Sequence, residues 1–297
     1  MTSGPGSSAA VEWFGTTTFR VRHAGLDLFF DGYLDRLPGL EPVGLSVAEV
    51  SRADFVFVSH AHFDHLYGAA PIARATGATV VASPESARVR QDGVPEDQLL
   101  MVTGGETVRC GPAASVRVLP ALHSCLFAAS DRDSAVACLG DLGISAQDRQ
   151  AKVAGALGSA PGPSPVTEAL RDMRAHSSAH DGGQLAFLLQ TADGTALFSG
   201  SSGYWPGIFA GLRPDVAFLA LAGRPNVAGE PYQGPAARFM LEQVAALNPG
   251  RVCFCHHDPL LPGLPGTDVA AAAALLQERK PGSYFTLSYA AARPLFA

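Results

Sequence analysis

Charged residues are scarce in this sequence, and basic residues are the minority among them. Asp, Glu, Lys and Arg together make up 16% of the 297 residues, against 47% for the hydrophobic types, and the formal net charge is −6 at pH 7. The high apolar fraction excludes a disordered chain, because such chains cannot bury enough apolar surface. The acidic balance argues against nucleic acid as a partner, because neutralising phosphates requires a basic surface.

The sequence shows no pattern of a disulfide framework or a secretory signal, and no long apolar run. Its five cysteines are an odd number and are scattered along the chain, which does not fit paired bridges. Residues 1–10 contain neither the basic nor the apolar part of a secretory signal. No apolar run approaches the roughly 20 residues that span a bilayer. We therefore expect a cytoplasmic protein with no membrane span, in an oligomeric state that composition leaves open.

Strand signals fill the first third of the chain, and strands alternate with helices thereafter. The clearest strand is predicted at residues 54–59, a nearly continuous apolar run that is typical of a strand buried on both faces. Caps, prolines and stop signals predict helices at residues 85–91, 235–247 and 267–280. This order favours an α/β fold in which helices cover the outer faces of the sheets.

The domain organisation is predicted to be simple. We expect a flexible N-terminus at residues 1–10 and one domain at residues 11–297, with an insertion at about residues 126–181. The insertion is rich in Ala, Gly, Ser and Pro, and we expect it to lack regular structure. Segments of this kind are often lids or binding loops. A tolerated surface insertion is the alternative.

Four candidate metal ligands follow the predicted strand at residues 54–59. They are His60, His62, Asp64 and His65, in the pattern His-x-His-x-Asp-His. Open sheets bind ligands at the carboxyl ends of their strands. In an extended loop His60 and His62 point the same way and can coordinate one ion. Asp64 and His65 then turn towards a second ion, about 3.5–4 Å from the first. Imidazole and carboxylate ligands suit zinc, and also manganese or iron.

This loop resembles the signature of the metallo-β-lactamase superfamily. The opening Trp13-Phe14-Gly15-Thr16-Thr17 and the later Phe30-Asp31 resemble the branch that contains L-ascorbate-6-phosphate lactonase and N-acylphosphatidylethanolamine-hydrolysing phospholipase D. The resemblance extends from residue 11 to about residue 287 and implies an αββα sandwich of two mixed sheets. Asp31 stands where that branch has Asp-Pro, and it is either an acceptor for a ligating histidine or a turn residue.

The resemblance implies further ligands after later strands. His123, in a His-Ser pair that follows a strand at residues 116–119, is expected to complete the first set with His60 and His62. Near the C-terminus His256 and His257 follow another strand, and strand alternation lets only one of them face the metals. The resemblance favours His256 as the ligand. His257 is then a candidate for contact with a ligand or the substrate.

One position departs from the family pattern. Many members bridge their two ions with an Asp, but the corresponding turn here is Gly200-Ser201-Ser202-Gly203. A neutral hydroxyl is a poor bridging ligand for two cations. The second site, formed by Asp64, His65 and His256, therefore either binds its ion more weakly or relies on a bridging hydroxide.

The resemblance implies a hydrolase that uses a metal-bound hydroxide on an ester, lactone, thioester or phosphodiester bond of a small-molecule substrate. One or two divalent ions are expected, Zn²⁺ before Mn²⁺ or Fe²⁺. Asp64 is the candidate catalytic residue, because it can orient the nucleophile and protonate the leaving group. The alternative is a non-catalytic metal-binding scaffold of the same fold, which Ser201 favours.

Candidate residues for the substrate pocket are Tyr204, Trp205 and Tyr232, with Arg224 as a candidate anchor for an anion. They lie near the predicted carboxyl ends of strands. Ordinary packing is the alternative for each of them.

Overall fold

The computed structural model describes residues 9–90, 93–129, 138–158 and 162–296. Two large mixed sheets dominate it. The first has the order β16-β1-β2-β3-β4-β5-β6. Its strands are β1 (Ala10–Trp13), β2 (Phe19–His23), β3 (Leu26–Phe30), β4 (Phe55–Phe57), β5 (Thr79–Ala82), β6 (Leu99–Met101) and β16 (Arg293–Pro294). Strands β3 to β6 run parallel to one another, so their carboxyl ends share one edge.

The second sheet has the order β15-β12-β10-β9-β8-β7. Its strands are β7 (Thr107–Arg109), β8 (Ala114–Pro120), β9 (Leu185–Thr191), β10 (Gly194–Ser199), β12 (Val216–Ala220) and β15 (Arg251–Cys255). Strand β9 is antiparallel to both β8 and β10, and β10, β12 and β15 are parallel, so four strands end at the same edge. A small third sheet contains β11 (Gly203–Tyr204), β13 (Asn226–Val227) and β14 (Glu230–Pro231).

Helices lie along the rest of the described chain. They are α1 (Phe63–Leu66), α2 (Ala69–Thr76), α3 (Pro84–Arg90), α4 (Ala146–Gly158), α5 (Pro165–Ala175), α6 (Pro206–Phe209), α7 (Ala236–Leu247) and α8 (Ala270–Arg279), with short 3₁₀ turns at Val47–Glu49 and Glu96–Gln98. No helix among these residues is long and apolar enough to cross a membrane.

Aromatic packing between the two sheets forms the central core. Phe30 of the first sheet stacks on Phe198 of the second, with ring centroids 3.8 Å apart. Phe19 packs against Phe198 and Phe218 at the same interface. Separate apolar clusters lie on the outer faces, one involving α2 and the other α7 and α8. Helices therefore cover both sheets, and the predicted αββα sandwich is confirmed.

The insertion differs from its prediction. The structure places α4 and α5 within residues 126–181, where we expected no regular structure. Ser164 caps α5 by accepting from the backbone of Thr167, and Pro165 begins the helix, so a local helix signal was present. Residues 130–137 and 159–161 of the insertion lie outside the described residues. So do residues 1–8 of the N-terminus predicted to be flexible, whereas Ala10 begins β1.

Candidate metal centre

Six predicted ligands lie together at the shared carboxyl edge of the two sheets. His60 and His62 follow β4, Asp64 and His65 lie in α1, His123 follows β8 and His256 follows β15. They form two groups, His60–His62–His123 and Asp64–His65–His256. Within each group one candidate ligand atom per residue lies within 4.8 Å of the others. The candidate ligands thus lie where parallel strands end, which is where open sheets usually bind ligands.

The first group consists only of imidazoles. His60 Nε2 and His62 Nδ1 are 3.1 Å apart, and the His123 ring centroid lies 4.8 Å from that of His60 and 4.6 Å from that of His62. The other nitrogen of two rings has its own partner. His60 Nδ1 lies 3.1 Å from the Ser59 hydroxyl, and His123 Nδ1 lies 2.9 Å from the Ser124 carbonyl oxygen. These contacts leave Nε2 of His60 and His123 to face the centre of the group.

The second group converges on one carboxylate oxygen. Asp64 Oδ2 lies 3.3 Å from His65 Nε2 and 3.2 Å from His256 Nε2. On the far side of the ring, His65 Nδ1 lies 2.8 Å from Asp31 Oδ2. Asp31 also accepts from the Thr17 hydroxyl and the Ser59 backbone. Asp31 thus has the contact expected of an acceptor for a ligating histidine, since it fixes the orientation of His65.

Electrostatics at the first group suit a metal ion. Burial lowers the pKa of His60 well below its usual value, and neighbouring imidazoles add to the shift. Burial likewise lowers the pKa of His123 to about 3, and lowers the pKa of His62. All three rings are therefore neutral at pH 7, which is the form that coordinates a metal.

The carboxylates in and beside the second group favour a positive charge at His65. Burial opposes the ionisation of Asp64, but the charge of His65 and hydrogen bonds from His256 and His65 outweigh it and hold the pKa of Asp64 well below its usual value. Burial opposes protonation of His65, yet the carboxylates of Asp64 and Asp31 raise its pKa to about 10. A divalent cation beside His65 Nε2 would supply that charge, so the donor set fits a metal.

The two C-terminal histidines point in different directions. His256 joins the second group, whereas His257 packs edge-on against Trp13 with ring centroids 5.4 Å apart. His256 has a left-handed backbone, φ 57°, and its amide donates to the Thr16 carbonyl at 2.8 Å. A left-handed backbone is unfavourable for a side chain other than glycine and often marks a functional position. This turn aims His256 at Asp64.

Ser201 lies between the loops that carry the ligands. Its hydroxyl accepts from the Ser124 amide at 3.1 Å, beside His123. A Cβ on Gly200 would collide with the Ser59 side chain, and one on Gly203 would collide with the Leu122 carbonyl. The turn thus fits between the His60 and His123 loops only because its ends are glycines. Ser201 lines the same cavity as His62 and His123 of the first group and all three residues of the second.

This cavity has a volume of about 740 Å³ and differs in part from the predicted pocket. Tyr204, Trp205, Tyr232 and Arg224 are not among its lining residues in the described part of the chain. Tyr204 and Tyr232 pack on Phe239. Arg224 donates to the Ala129 carbonyl at 2.6 Å. For Tyr204, Tyr232 and Arg224, ordinary packing therefore describes the structure, whereas Trp205 is 38% exposed.

Sequence reasoning missed three polar residues near the centre. Arg171 and Arg174 of α5 line the cavity. Asp181 accepts from the Ala61 amide at 3.0 Å, between His60 and His62 in sequence, and its carboxylate lies 3.8 Å from Arg149. Burial opposes ionisation of Asp181, but the interactions with the nearby His123 ring and with the Arg149 guanidinium hold its pKa below the usual value. Each of these residues reaches the centre because the insertion packs there, and a local sequence pattern cannot predict such packing.

Comparison with known sequences gives partial matches. Residues 24–160 match the family described as the β-lactamase superfamily domain. That range contains His60, His62, Asp64, His65 and His123. A protein of Pyrobaculum calidifontis named UPF0173 metal-dependent hydrolase is 34% identical over 115 residues, which are 38% of this chain and 50% of that protein. The chain thus spans about half the length of the curated relatives it matches.

Comparison with solved structures covers nearly the whole chain. A structure described as a novel metallo hydrolase, Igni18 from Ignicoccus hospitalis, is 16% identical with a TM-score of 0.63, and covers 97% of this chain and 98% of its own. CmlA, a diiron β-hydroxylase from Streptomyces venezuelae, is 17% identical with a TM-score of 0.56, and the likeness covers 98% of this chain and 54% of that one. At these identities the likeness concerns the fold.

Proposed function

Because the chain has the metallo-β-lactamase fold, we propose that it is a metal-dependent hydrolase of an ester, lactone, thioester or phosphodiester bond in a small molecule. The observation that carries this proposal is the pair of ligand groups, three imidazoles and a carboxylate with two imidazoles, opening into one cavity. The name of the Pyrobaculum relative and the description of Igni18 support it. The lactonase and phospholipase D branch stays a prediction.

The ligand assignment follows from the ring contacts. His60 Nε2, His62 Nδ1 and the inward nitrogen of His123 would hold one ion. Asp64 Oδ2, His65 Nε2 and His256 Nε2 would hold the other. A bound divalent ion lowers the pKa of a coordinated water to about 7 and polarises the oxygen of the bond to be cleaved. Zinc is the first candidate, with manganese and iron as the others to test.

Asp64 is proposed to handle the proton. Its pKa is held low, so the carboxylate starts the reaction ionised. Oδ2 faces His65 and His256, and Oδ1 is the atom we assign to accept the proton of the attacking water and pass it to the leaving group. Asp31 keeps His65 in place during this transfer through its 2.8 Å contact with Nδ1.

Metal analysis combined with turnover tests the proposal. Purified protein is refilled with zinc, manganese or iron and assayed on lactones, phosphodiesters and thioesters. We expect bound metal and hydrolysis in the wild type, and at least about 100-fold lower kcat in Asp64→Asn, with metal retained at the His60–His62–His123 group. Asp97→Asn, which changes an exposed carboxylate elsewhere, is the matched control. Metal without turnover would favour the scaffold alternative, and absence of metal would end both.

A further inference from the structure

The cavity beside the ligand groups has two kinds of wall. One side carries apolar side chains, among them Phe63, Leu126, Phe127 and Leu260. Another side is formed by α5, which contributes Arg171 and Arg174. A volume of about 740 Å³ is in the range of sites that enclose a small organic molecule. The wall therefore offers a molecule both an apolar surface and cations, in addition to the ligand groups.

Helix α5 holds the two arginines in a fixed place. Met173 is buried with Tyr33 and Leu37 in one apolar cluster, and Leu170 packs against that cluster. Arg171 and Arg174 are three residues apart, so they lie on the same face of the helix, one turn from each other. Packing of Met173 thus holds the helix whose two exposed arginines line the cavity.

The described residues that line this cavity include two arginines and one carboxylate. Asp64 is the only acidic residue among the described lining residues, and its carboxylate faces His65 and His256. No hydrogen bond or ion pair joins Arg171 to another residue in the part of the chain that the structure describes. Arginine stays protonated at any relevant pH. Arg171 and Arg174, of which Arg174 has a further interaction, therefore bring positive charge to this cavity in a chain whose net charge is −6.

We propose that the substrate carries an oxyanion, a carboxylate or a phosphate monoester, attached through an apolar segment to the bond that is cleaved. Arg171 and Arg174 bind the oxyanion, because guanidinium groups match its geometry. The apolar segment packs on the wall that contains Phe63 and Leu260. This inference rests on the proposed function, since it names the class of substrate for the same site.

Binding of uncleavable probes tests the subsite without turnover. Calorimetry on the zinc-loaded protein compares octanoate and octyl phosphate with neutral octanamide. We expect the anions to bind at least tenfold more tightly than octanamide. In the double variant Arg171→Gln/Arg174→Gln the affinity for the anions should fall at least tenfold while that for octanamide is unchanged. The corresponding double Lys variant should restore part of it. The tighter of the two anions identifies the oxyanion.

The control replaces two exposed arginines outside the cavity, Arg109→Gln/Arg117→Gln, and should bind all probes like the wild type. Equal affinities of wild type and the Arg171/Arg174 variant for the anions, with thermal unfolding showing both folded, would overturn the inference. So would equal binding of octanoate and octanamide to the wild type.

Turnover provides an arm that separates this inference from the proposed function. The mono-4-nitrophenyl ester of adipic acid and 4-nitrophenyl hexanoate differ in the terminal carboxylate. We expect kcat/KM to favour the charged ester at least tenfold in the wild type, and the preference to vanish in the double Gln variant. If neither ester nor any other substrate is cleaved, the proposed hydrolase fails, and the calorimetry still decides whether the arginines form an oxyanion site.

Discussion

His65 has a carboxylate partner on each side of its ring. Its Nδ1 contacts Asp31 at 2.8 Å and its Nε2 faces Asp64 at 3.3 Å. Asp31 is itself held by the Thr17 hydroxyl and the Ser59 amide. Asp31 and its own partners thus fix the orientation of the His65 ring. Such outer contacts raise the affinity of a metal site, because the ligand loses little freedom on binding.

Ser201 is the residue that stands where many family members have a bridging Asp. Ser201→Asp should raise the affinity for the ion at Asp64, His65 and His256, because an anion between two cations relieves their repulsion. Titration of the second metal into the wild type and the variant measures the change. Ser201→Asn has nearly the same size without the charge and is the matched control. Equal or weaker second-site affinity in a folded Asp variant would show that Ser201 does not stand between the ions.

The ligand-bearing strand ends could be predicted from the sequence because each signal was local. An apolar run directly before His60 marks a buried strand, and its end fixes where the histidines lie. The resemblance to a known family then supplied His123 and His256, which are distant in sequence. The wall of the cavity could not be predicted in this way. Whether Arg171 faces the site depends on where α5 docks, and the Ser164-Pro165 pattern that starts α5 indicates a helix but not its place in the fold.

Helix α5 packs on the rest of the fold through Met173. Met173 is 3% exposed and packs with Tyr33 and Leu37, so Met173→Ala should lower the free energy of unfolding by about 2–5 kcal/mol. Met101→Ala, at a methionine 65% exposed on β6, should change it by less than about 0.5 kcal/mol. Urea denaturation measures both. Similar midpoints for the two variants would mean that α5 does not belong to the cooperative core.

At the scale of the molecule, the candidate ligands connect the two sheets. His60 and His65 follow a strand of the first sheet, while His123 and His256 follow strands of the second. The sheets are already joined by the Phe30–Phe198 stack and its neighbours. Ions held by both groups would add a second connection, at the open edge where the aromatic core does not reach. Metal binding is therefore expected to contribute to the stability of the whole fold.

Removal of metal tests this expectation. An ion that binds only the folded protein stabilises it by about 2.7 kcal/mol at 100 times its dissociation constant, which corresponds to roughly 5 °C in Tm for a domain of this size. Chelation should therefore lower the Tm of the wild type by about that amount, and added zinc should restore it. His123→Gln removes a ligand that joins the second sheet to His60 and His62, so its Tm should respond less to zinc. His176→Gln changes an exposed histidine at the end of α5 and should respond like the wild type. A wild-type Tm that is the same with chelator and with excess zinc would contradict a structural contribution of the ions.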